Sequence, residues 1–398
     1  MNFAPTVDLY SSLKSTVIGS RSFGSNPYNA AIMGVAFAKG SMDAGVIPTA
    51  KHFPGHGDTS LDRHGRLPQI DIDWYTMKNR ELVPFKSIIE AEIPAIMSGH
   101  LSFQKIESDG TPASLSYKFL TEILRGELGY KGLIITDDMM MNGATIFAGS
   151  VHKAFTMAIE AGNDIIISST TASLGDPLWT RNLELMRTNE DFKARVMDAA
   201  RRVINAKLVY FKSENAAPLF PDEGKIYESI PDKEGQKFFL EQACRSISVL
   251  KGSEFLPYKP EENEKVLIAG PFLALYNEGK KRYPNASTFH YSYELNSDDS
   301  NYDEWNATRF EWVCRSYDTI IINVYNEHTA NIARRLRYAG KKVIVLSILS
   351  PVFVMNDMDF ADIILCGYSY SDFSFAALFG ALNGEFTPKG LVPLEEAR

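Results

Sequence analysis

The sequence predicts a chain of two α/β domains. Short apolar segments alternate with amphipathic helical segments through the first half, a charged stretch with several prolines follows, and a second alternation fills the rest. Such alternation is typical of a mostly parallel sheet with helices packed on it. We therefore expect an N-terminal domain at residues 1–212, a linker at 213–235 and a C-terminal domain at 236–398.

The elements of the first domain follow from the spacing of its apolar residues. Short apolar runs that end in polar or glycine-rich residues indicate buried parallel strands, and longer runs with a helical period indicate helices. The predicted strands are 2–7, 46–53, 93–99, 133–137 and 164–168. The predicted helices are 27–44, 75–91, 115–128, 152–161 and 190–211.

The second domain repeats this pattern after a linker in which Pro218, Pro221 and Pro231 oppose regular structure. Its predicted strands are 248–251, 265–269, 319–324, 342–349 and 362–366. Its predicted helices are 236–246, 327–339 and 371–382. We expect a doubly wound α/β/α sandwich. No Gly-x-Gly-x-x-Gly motif follows its strands, so no dinucleotide cofactor is expected.

The composition argues against several classes of protein. With 41 basic and 49 acidic residues the net charge is −8, which argues against a nucleic-acid partner. No apolar run is long enough to span a membrane. The cysteines Cys244, Cys314 and Cys366 fit neither a zinc motif nor a disulfide framework. These observations predict a globular protein of a reducing compartment such as the cytoplasm.

Residues that suggest chemistry concentrate after the second predicted strand. The segment 51–68 carries three histidines and two aspartates, namely His52, His56, Asp58, Asp62 and His64. Pro54, Gly55 and Gly57 oppose a helix in this segment. A polar loop at the carboxyl end of a parallel strand is where α/β barrels carry their active sites. The sequence therefore predicts a catalytic loop.

Two other interpretations of this loop are open. Four of its side chains are possible metal ligands: His52, His56, Asp58 and His64. Because no Cys or Glu joins them and the backbone is not helical, we expect no metal. The loop could also be a solvated surface segment, which would not need this density of titratable groups.

Two adjacent carboxylates, Asp137 and Asp138, follow the apolar run of a predicted strand. An unpaired carboxylate beside apolar residues is costly. Adjacent strand residues point to opposite faces, so we expect one carboxylate in a pocket and the other in a structural contact. His100 could line the same pocket or lie in the core, and Asp8 is expected to support the pocket.

Several segments match one known family. They are 51–57 (KHFPGHG), 62–64 (DRH), 135–138 (ITDD), 2–5 (NFAP), 21–24 (RSFG), 246–251 (SISVLK) and 384–390 (GEFTPKG). In these segments the chain resembles glycoside hydrolase family 3, in particular its NagZ-like β-N-acetylglucosaminidase branch. The resemblance implies a (β/α)8 TIM-type barrel followed by an α/β/α sandwich. About two of the eight strands, with an Asp-x-Glu-Gly-Gly stretch, are not found, so we expect a barrel incomplete at its N-terminus.

The resemblance also implies the roles of individual residues. By position, Asp137 matches the nucleophile of a retaining hydrolase, His64 its acid/base and Asp62 the carboxylate that orients His64. Arg21, Lys51 and His52 match residues that bind the sugar. An imidazole suits the acid/base role because its usual pKa, about 6.5, lies close to working pH.

The expected function is therefore that of a β-N-acetylhexosaminidase. It would remove terminal β-linked N-acetylglucosamine from muropeptide or chitin-type fragments through a covalent glycosyl-aspartate intermediate, without metal or cofactor. One alternative is a phosphorylase of the same substrates, because a histidine acid/base leaves no second carboxylate to repel phosphate. The other is a truncated, non-catalytic relative that only binds sugar.

Overall fold

The computed structural model describes residues 1–13, 17–57, 59, 67–214, 216, 218, 220, 222–291 and 300–394. The chain divides into two compact units, the first built on Met1–Pro221 and the second on Asp222–Val392. This division falls inside the stretch predicted as a linker. In the described part of the chain, no helix is long and apolar enough to cross a membrane.

The described helices of the first unit alternate with its strands. They are α1 (Pro27–Asp43), α2 (74–90), α3 (Lys118–Glu127), α4 (Asn142–Ala148), α5 (Val151–Ala161), α6 (Pro177–Thr188) and α7 (Glu190–Phe211). The strands are β1 (Thr49–Phe53), β2 (Ala95–Ser98), β3 (Leu133–Asp138) and β4 (Ile165–Ile167). Local signals fix several ends: the Asn26 side chain accepts from two amides at the start of α1, and Asn189 caps α7.

The described strands of the first unit form one parallel sheet in the order β1-β2-β3-β4. Thr49 pairs with Ala95, which in turn pairs with Leu133. Each strand thus lies beside the next one in the chain, and helices connect them. Because all four run in one direction, their carboxyl ends meet at the same edge of the sheet.

The predicted strand 2–7 is not a regular strand. It lies parallel to β1 but makes only isolated bridges, Asn2 with Pro48 and Thr6 with Lys51. Pro5 has no amide hydrogen to donate and interrupts the ladder. Backbone hydrogen bonds still tie the segment to β1, including Val7 N to Lys51 O at 2.8 Å. They place the following residue, Asp8, at the carboxyl edge of the sheet.

The two faces of this sheet bury different residues because side chains alternate along each strand. On one face Ile96 and Ile134 pack in a core with residues of α2 and α3, among them Phe85 and Leu120. On the other face Leu133 and Ile135 pack with Ala95 and with Val203 and Ala206 of α7. Helix α7 thereby covers the face of β3 that carries Asp137 at its carboxyl end.

A buried ion cluster fixes α7 to the amino end of β4. The fully buried carboxylate of Asp164 lies 2.6 Å from Arg125 of α3 and 3.0 Å and 2.9 Å from Arg195 and Arg202 of α7. It also accepts a hydrogen bond from the amide of Ile134 at 3.0 Å. One carboxylate therefore joins two helices and two strands.

The second unit contains a six-stranded sheet in its described residues, in the order β5-β10-β9-β8-β6-β7. Its strands are β5 (Ser248–Lys251), β6 (Val266–Ala269), β7 (Ser287–Phe289), β8 (Thr319–Val324), β9 (Lys342–Ser347) and β10 (Ile363–Cys366). Its helices are α8 (Glu223–Ser229), α9 (Lys233–Ser246), α10 (Leu273–Arg282), α11 (Ser300–Cys314), α12 (Glu327–Arg334), α13 (Val352–Met355) and α14 (Asp372–Asn383). Edge strand β5 is antiparallel to β10, and the other neighbours are parallel.

Helices cover both faces of this second sheet. Ile320 and Ile322 of β8 face one core with Phe310 of α11, whereas Ile321 faces another core with Phe375 and Leu378 of α14. The unit is thus a three-layer α/β/α sandwich. The predicted linker differs from the structure: it contains α8 and the start of α9, because Asp222 and Asp232 cap these helices with their side chains.

Candidate active site

The candidate site lies at the carboxyl edge of the parallel sheet of the first unit. His52 lies in β1, His100 follows β2, and Asp137 lies near the end of β3. Asp8 reaches the same edge through the pairing of segment 2–7 with β1. Parallel strands bring their carboxyl ends together, which collects side chains that are far apart in the sequence.

Asp8 is buried at the centre of this cluster. Its Oδ1 accepts hydrogen bonds from the amides of His52 at 3.0 Å and His56 at 2.8 Å. Its Oδ2 lies 2.7 Å from Nδ1 of His52. Burial alone would raise the pKa of Asp8, but the charges of His52 and His56 and these hydrogen bonds outweigh it and lower the pKa. Asp8 is therefore ionised at neutral pH.

His52 connects Asp8 with Asp137. Its Nε2 lies 3.7 Å from Oδ2 of Asp137, within the range of an ion pair but beyond a hydrogen bond. The His52 ring is buried, whereas the Asp137 side chain is 25% exposed. Asp137 is thus a carboxylate that solvent can reach and that a buried histidine faces from one side.

Asp138 has different partners from its neighbour. Its Oδ1 accepts hydrogen bonds from the amides of Met140 and Ser169, both at 3.0 Å. These hydrogen bonds lower the pKa of Asp138 even though desolvation opposes them. Asp138 therefore fixes the loops after β3 and β4, as expected for two adjacent residues on opposite sides of a strand.

His100 is a buried structural histidine. Its Nε2 donates to the carbonyl oxygen of Asp138 at 3.0 Å, and its Nδ1 accepts from the Ser114 hydroxyl at 2.6 Å. Burial lowers its pKa, which keeps the ring neutral. Of the two interpretations open from sequence, the core position agrees with these contacts. Ser114 carried no sequence signal for this role.

The predicted cation Lys51 interacts electrostatically with Asp137 and with the second predicted cation, Arg21. The pKa of half-buried Lys51 is lowered by desolvation and by the charge of Arg21, against the opposing effect of Asp137 and Asp8. Arg21 is exposed and donates to the carbonyl oxygens of Val17 at 2.9 Å and Ile18 at 3.3 Å. The next residue, Ser22, donates to the carbonyl oxygen of Asp8 at 2.7 Å.

The second histidine of the loop, His56, packs against the first. The rings of His52 and His56 meet edge to face with centroids 5.5 Å apart. The Thr59 hydroxyl donates to the His56 carbonyl oxygen at 2.9 Å, so Nδ1 of His56 donates to that hydroxyl at 3.0 Å. Burial lowers the pKa of His56. The Lys51–His52 and Phe53–Pro54 peptide bonds in this loop are cis.

The structure thus brings together Asp137, His52, Lys51 and Arg21 of the predicted site residues. The predicted acid/base pair, Asp62 and His64, lies outside the described residues, as does Asp58 of the alternative metal site. Within the described ranges, no three His, Cys, Asp or Glu side chains are grouped so that they could hold a metal ion.

Gly57 allows the segment that carries His52 and His56 to approach the segment after Asp8. A Cβ on Gly57 would lie 1.6 Å from the carbonyl oxygen of Leu9. We expect Gly57→Ala to lower the free energy of unfolding by about 1–3 kcal/mol, because two backbone segments must separate. Urea denaturation measures this change. Gly40→Ala is the control: no atom lies within 4 Å of its Cβ, and helix α1 should gain up to about 1 kcal/mol.

The buried groups of the site predict acid sensitivity. The pKa values of His56 and His100 are lowered in the fold, so unfolded chains bind more protons as the pH falls below about 6.5, and stability declines. Asp8, whose pKa is also lowered, adds a second loss below its ordinary value of 3.8. Urea unfolding from pH 7.5 to 3.5 should show a falling midpoint. In His100→Gln the decline between pH 7 and 5 should be smaller, and an equal decline would contradict the assignment.

A family model described as "Glycosyl hydrolase family 3 N terminal domain" matches residues 1–206, more than half of the chain. A protein named "Beta-hexosaminidase A" from Pseudoalteromonas piscicida is 36% identical over 210 residues, which cover 50% of this chain and 34% of that protein. A "Beta-hexosaminidase" from Tolumonas auensis is 32% identical over 232 residues, covering 56% of this chain and 66% of that protein. The matches span only part of the length of these relatives.

Solved structures agree on the fold. A glycoside hydrolase family 3 beta-N-acetylglucosaminidase from Paenibacillus sp. str. FPU-7 superposes with a TM-score of 0.86 at 24% identity, over 99% of this chain and 76% of that chain. Beta-glucoside phosphorylase BglX bound to 2FGlc superposes with a TM-score of 0.80 at 20% identity, over 99% of this chain and 73% of that one. The family model and the shared fold agree with the loop motifs, and the chain therefore belongs to glycosyl hydrolase family 3.

Proposed function

We propose that this chain is a retaining glycoside hydrolase that removes terminal β-linked N-acetylglucosamine from muropeptide or chitin-type fragments. The observation that carries the proposal is the placement of Asp137, partly exposed at the carboxyl end of β3 and faced by His52. The curated relatives are named beta-hexosaminidases, which supports the type of sugar. We interpret the parallel sheet as part of a (β/α)8 barrel, whose carboxyl edge carries the active site.

The proposed reaction has two steps at Asp137. In the first, the Asp137 carboxylate attacks the anomeric carbon while the glycosidic oxygen leaves with a proton from His64, so that the sugar becomes bound to Asp137. In the second, His64 takes a proton from water, whose oxygen attacks the anomeric carbon and releases Asp137. Asp62 orients the imidazole. The roles of His64 and Asp62 rest on the family motif.

The remaining residues of the site are proposed to bind the substrate. We propose that Arg21 and Lys51 donate hydrogen bonds to hydroxyls or to the N-acetyl group of the sugar, and that His52 also hydrogen-bonds to the sugar. Lys51 interacts electrostatically with Asp137, the carboxylate that would attack the anomeric carbon. The reaction needs no metal and no cofactor.

Two measurements test this proposal. The chain is expected to hydrolyse a chromogenic N-acetyl-β-glucosaminide. A fluorinated donor that reacts quickly and is released slowly should add the mass of one sugar to the peptide containing Asp137. Labelling of a different carboxylate would contradict the assignment of the nucleophile. Binding of N-acetylglucosamine without turnover would favour a non-catalytic sugar-binding protein.

A phosphorylase is the second candidate, and the neighbouring cations Lys51 and Arg21 favour it. Lys51, which interacts with Asp137, and Arg21, which interacts with Lys51, can together hold an anionic acceptor, and a histidine acid/base would not repel it. In that reaction phosphate replaces water in the second step and yields the sugar 1-phosphate. Rates and products with and without phosphate separate the two candidates, because a hydrolase forms no sugar 1-phosphate.

A further inference from the structure

Asp8 makes contacts that determine which ring nitrogen of His52 carries a hydrogen. Both oxygens of the buried carboxylate accept hydrogen bonds, and an ionised carboxylate has no hydrogen to donate. Nδ1 of His52, 2.7 Å from Oδ2 of Asp8, must therefore be the donor. In the neutral ring this leaves the lone pair on Nε2, the nitrogen that faces Asp137 at 3.7 Å.

We propose that Asp8 is a positioning residue, which holds His52 in the Nδ1–H form and directs its Nε2 toward Asp137. Asp8 does not touch the substrate in this role. It acts through His52, whose Nε2 is then free to accept a hydrogen bond from a sugar hydroxyl, or to carry a proton opposite the Asp137 carboxylate. The kinetic part of this inference rests on the proposed function, whereas the state of the ring can be measured without it.

The surroundings of His52 are consistent with Asp8 as the controlling group. Among the residues that the structure describes, Asp8 and Asp137 face its two nitrogens, and His56 and His100 are further titratable side chains that interact with it. His56 packs against the ring by its edge and uses its own Nδ1 on Thr59. Asp8 also binds the amides of His52 and His56, so the same carboxylate fixes the ring and the loop that carries it.

Asp8→Asn separates positioning from simple support of the loop. The asparagine oxygen keeps the two backbone hydrogen bonds when it replaces Oδ1, which places its amide nitrogen against Nδ1 of His52. That amide can only donate, so the neutral ring must move its hydrogen to Nε2. If Asp8 only supported the loop, Asp8→Asn would not change which nitrogen of His52 carries the hydrogen.

The experiment is nitrogen NMR of histidine-labelled protein at about pH 9, where a histidine of ordinary pKa is neutral. His52→Gln assigns the His52 signals, and His100 serves as an internal reference. We expect the Nδ1–H form in the wild-type protein and the Nε2–H form in Asp8→Asn. An Nε2–H form in the wild type, or an unchanged form in Asp8→Asn, would overturn the proposal. The wild-type measurement stands even if the variant does not fold.

Kinetics then link the ring to the reaction. We expect kcat of Asp8→Asn to fall about 100-fold, as when a catalytic histidine is held in the wrong form. The control is Asp109→Asn, a surface carboxylate that accepts hydrogen bonds from the amide and hydroxyl of Thr111 in its own turn. If Asp8→Asn changes the protonated nitrogen of His52 but the wild-type protein has no activity on the sugar substrate, the proposed function is wrong and the positioning role of Asp8 is supported. If the wild-type protein is active but Asp8→Asn leaves the His52 ring unchanged, the proposed function is supported and the positioning role is wrong.

Discussion

Replacement of Asp137 by asparagine is expected to lower kcat for hydrolysis of an N-acetyl-β-glucosaminide by about 10⁴-fold or more. A neutral amide is a poor nucleophile and cannot form the glycosyl ester. Asp137 is partly exposed and has no described role in joining helices, so the variant should fold and unfold like the wild type. Steady-state kinetics with a chromogenic substrate measure the loss.

Restoring activity to Asp137→Ala with an added anion tests specifically whether Asp137 is the nucleophile. In Asp137→Ala an added small anion such as azide can occupy the vacated space and attack the anomeric carbon directly. The product should be the α-glycosyl azide, with inverted configuration, because one displacement replaces two. Asp109→Asn, an exposed carboxylate that accepts hydrogen bonds from Thr111 in its own turn, should keep the wild-type rate. Activity of Asp137→Asn near that of the wild type would refute the assignment.

Removal of the Asp164 carboxylate is expected to have the largest effect on stability. In Asp164→Ala three guanidinium groups, from Arg125, Arg195 and Arg202, lose the buried charge that they surround. Breaking such a buried cluster costs about 3–5 kcal/mol. Urea unfolding followed by circular dichroism should show a correspondingly lower midpoint, or the variant should fail to fold.

A second aspartate on α7 provides the matched control. Asp198 pairs with Arg195 at 3.6 Å and with Arg202 at 2.6 Å, but it is 46% exposed. An exposed ion pair contributes about 0–1 kcal/mol, so Asp198→Ala should change the midpoint little. If Asp164→Ala and Asp198→Ala lowered the free energy of unfolding equally, burial of the carboxylate would not explain the effect of Asp164.

The elements that sequence predicted well bury continuous apolar runs or a clear helical face. β3 and α7 are examples, since the apolar run of β3 stops abruptly at two carboxylates. Helix α6 was not predicted because it exposes Trp179 and Leu183 and buries no side chain completely. Strand β7 was not predicted because only one of its three residues, Phe289, is apolar and buried, whereas the equally short β4 consists of three isoleucines.

The location of the candidate site could be predicted where short sequence segments carry its residues. Lys51, His52 and Asp137 lie in segments whose composition already indicated chemistry. The contacts of the Asp8 carboxylate with His52 and His56, and the hydrogen bond from Ser114 to His100, depend on pairing between distant segments. Likewise, the arginines around Asp164 come from α3 and α7, whose positions follow only from the packed fold. Residue type and local spacing do not contain this information.

The backbone hydrogen bonds to Asp8 also allow local opening of the segment that carries His52 and His56 to be measured. The amide hydrogens of His52 and His56 point at a carboxylate that solvent does not reach. Their exchange with deuterium therefore requires the loop to separate from Asp8. Such local opening costs less free energy than global unfolding when few contacts are lost. The exchange rates of these two amides thus measure how often their hydrogen bonds to Asp8 break without global unfolding.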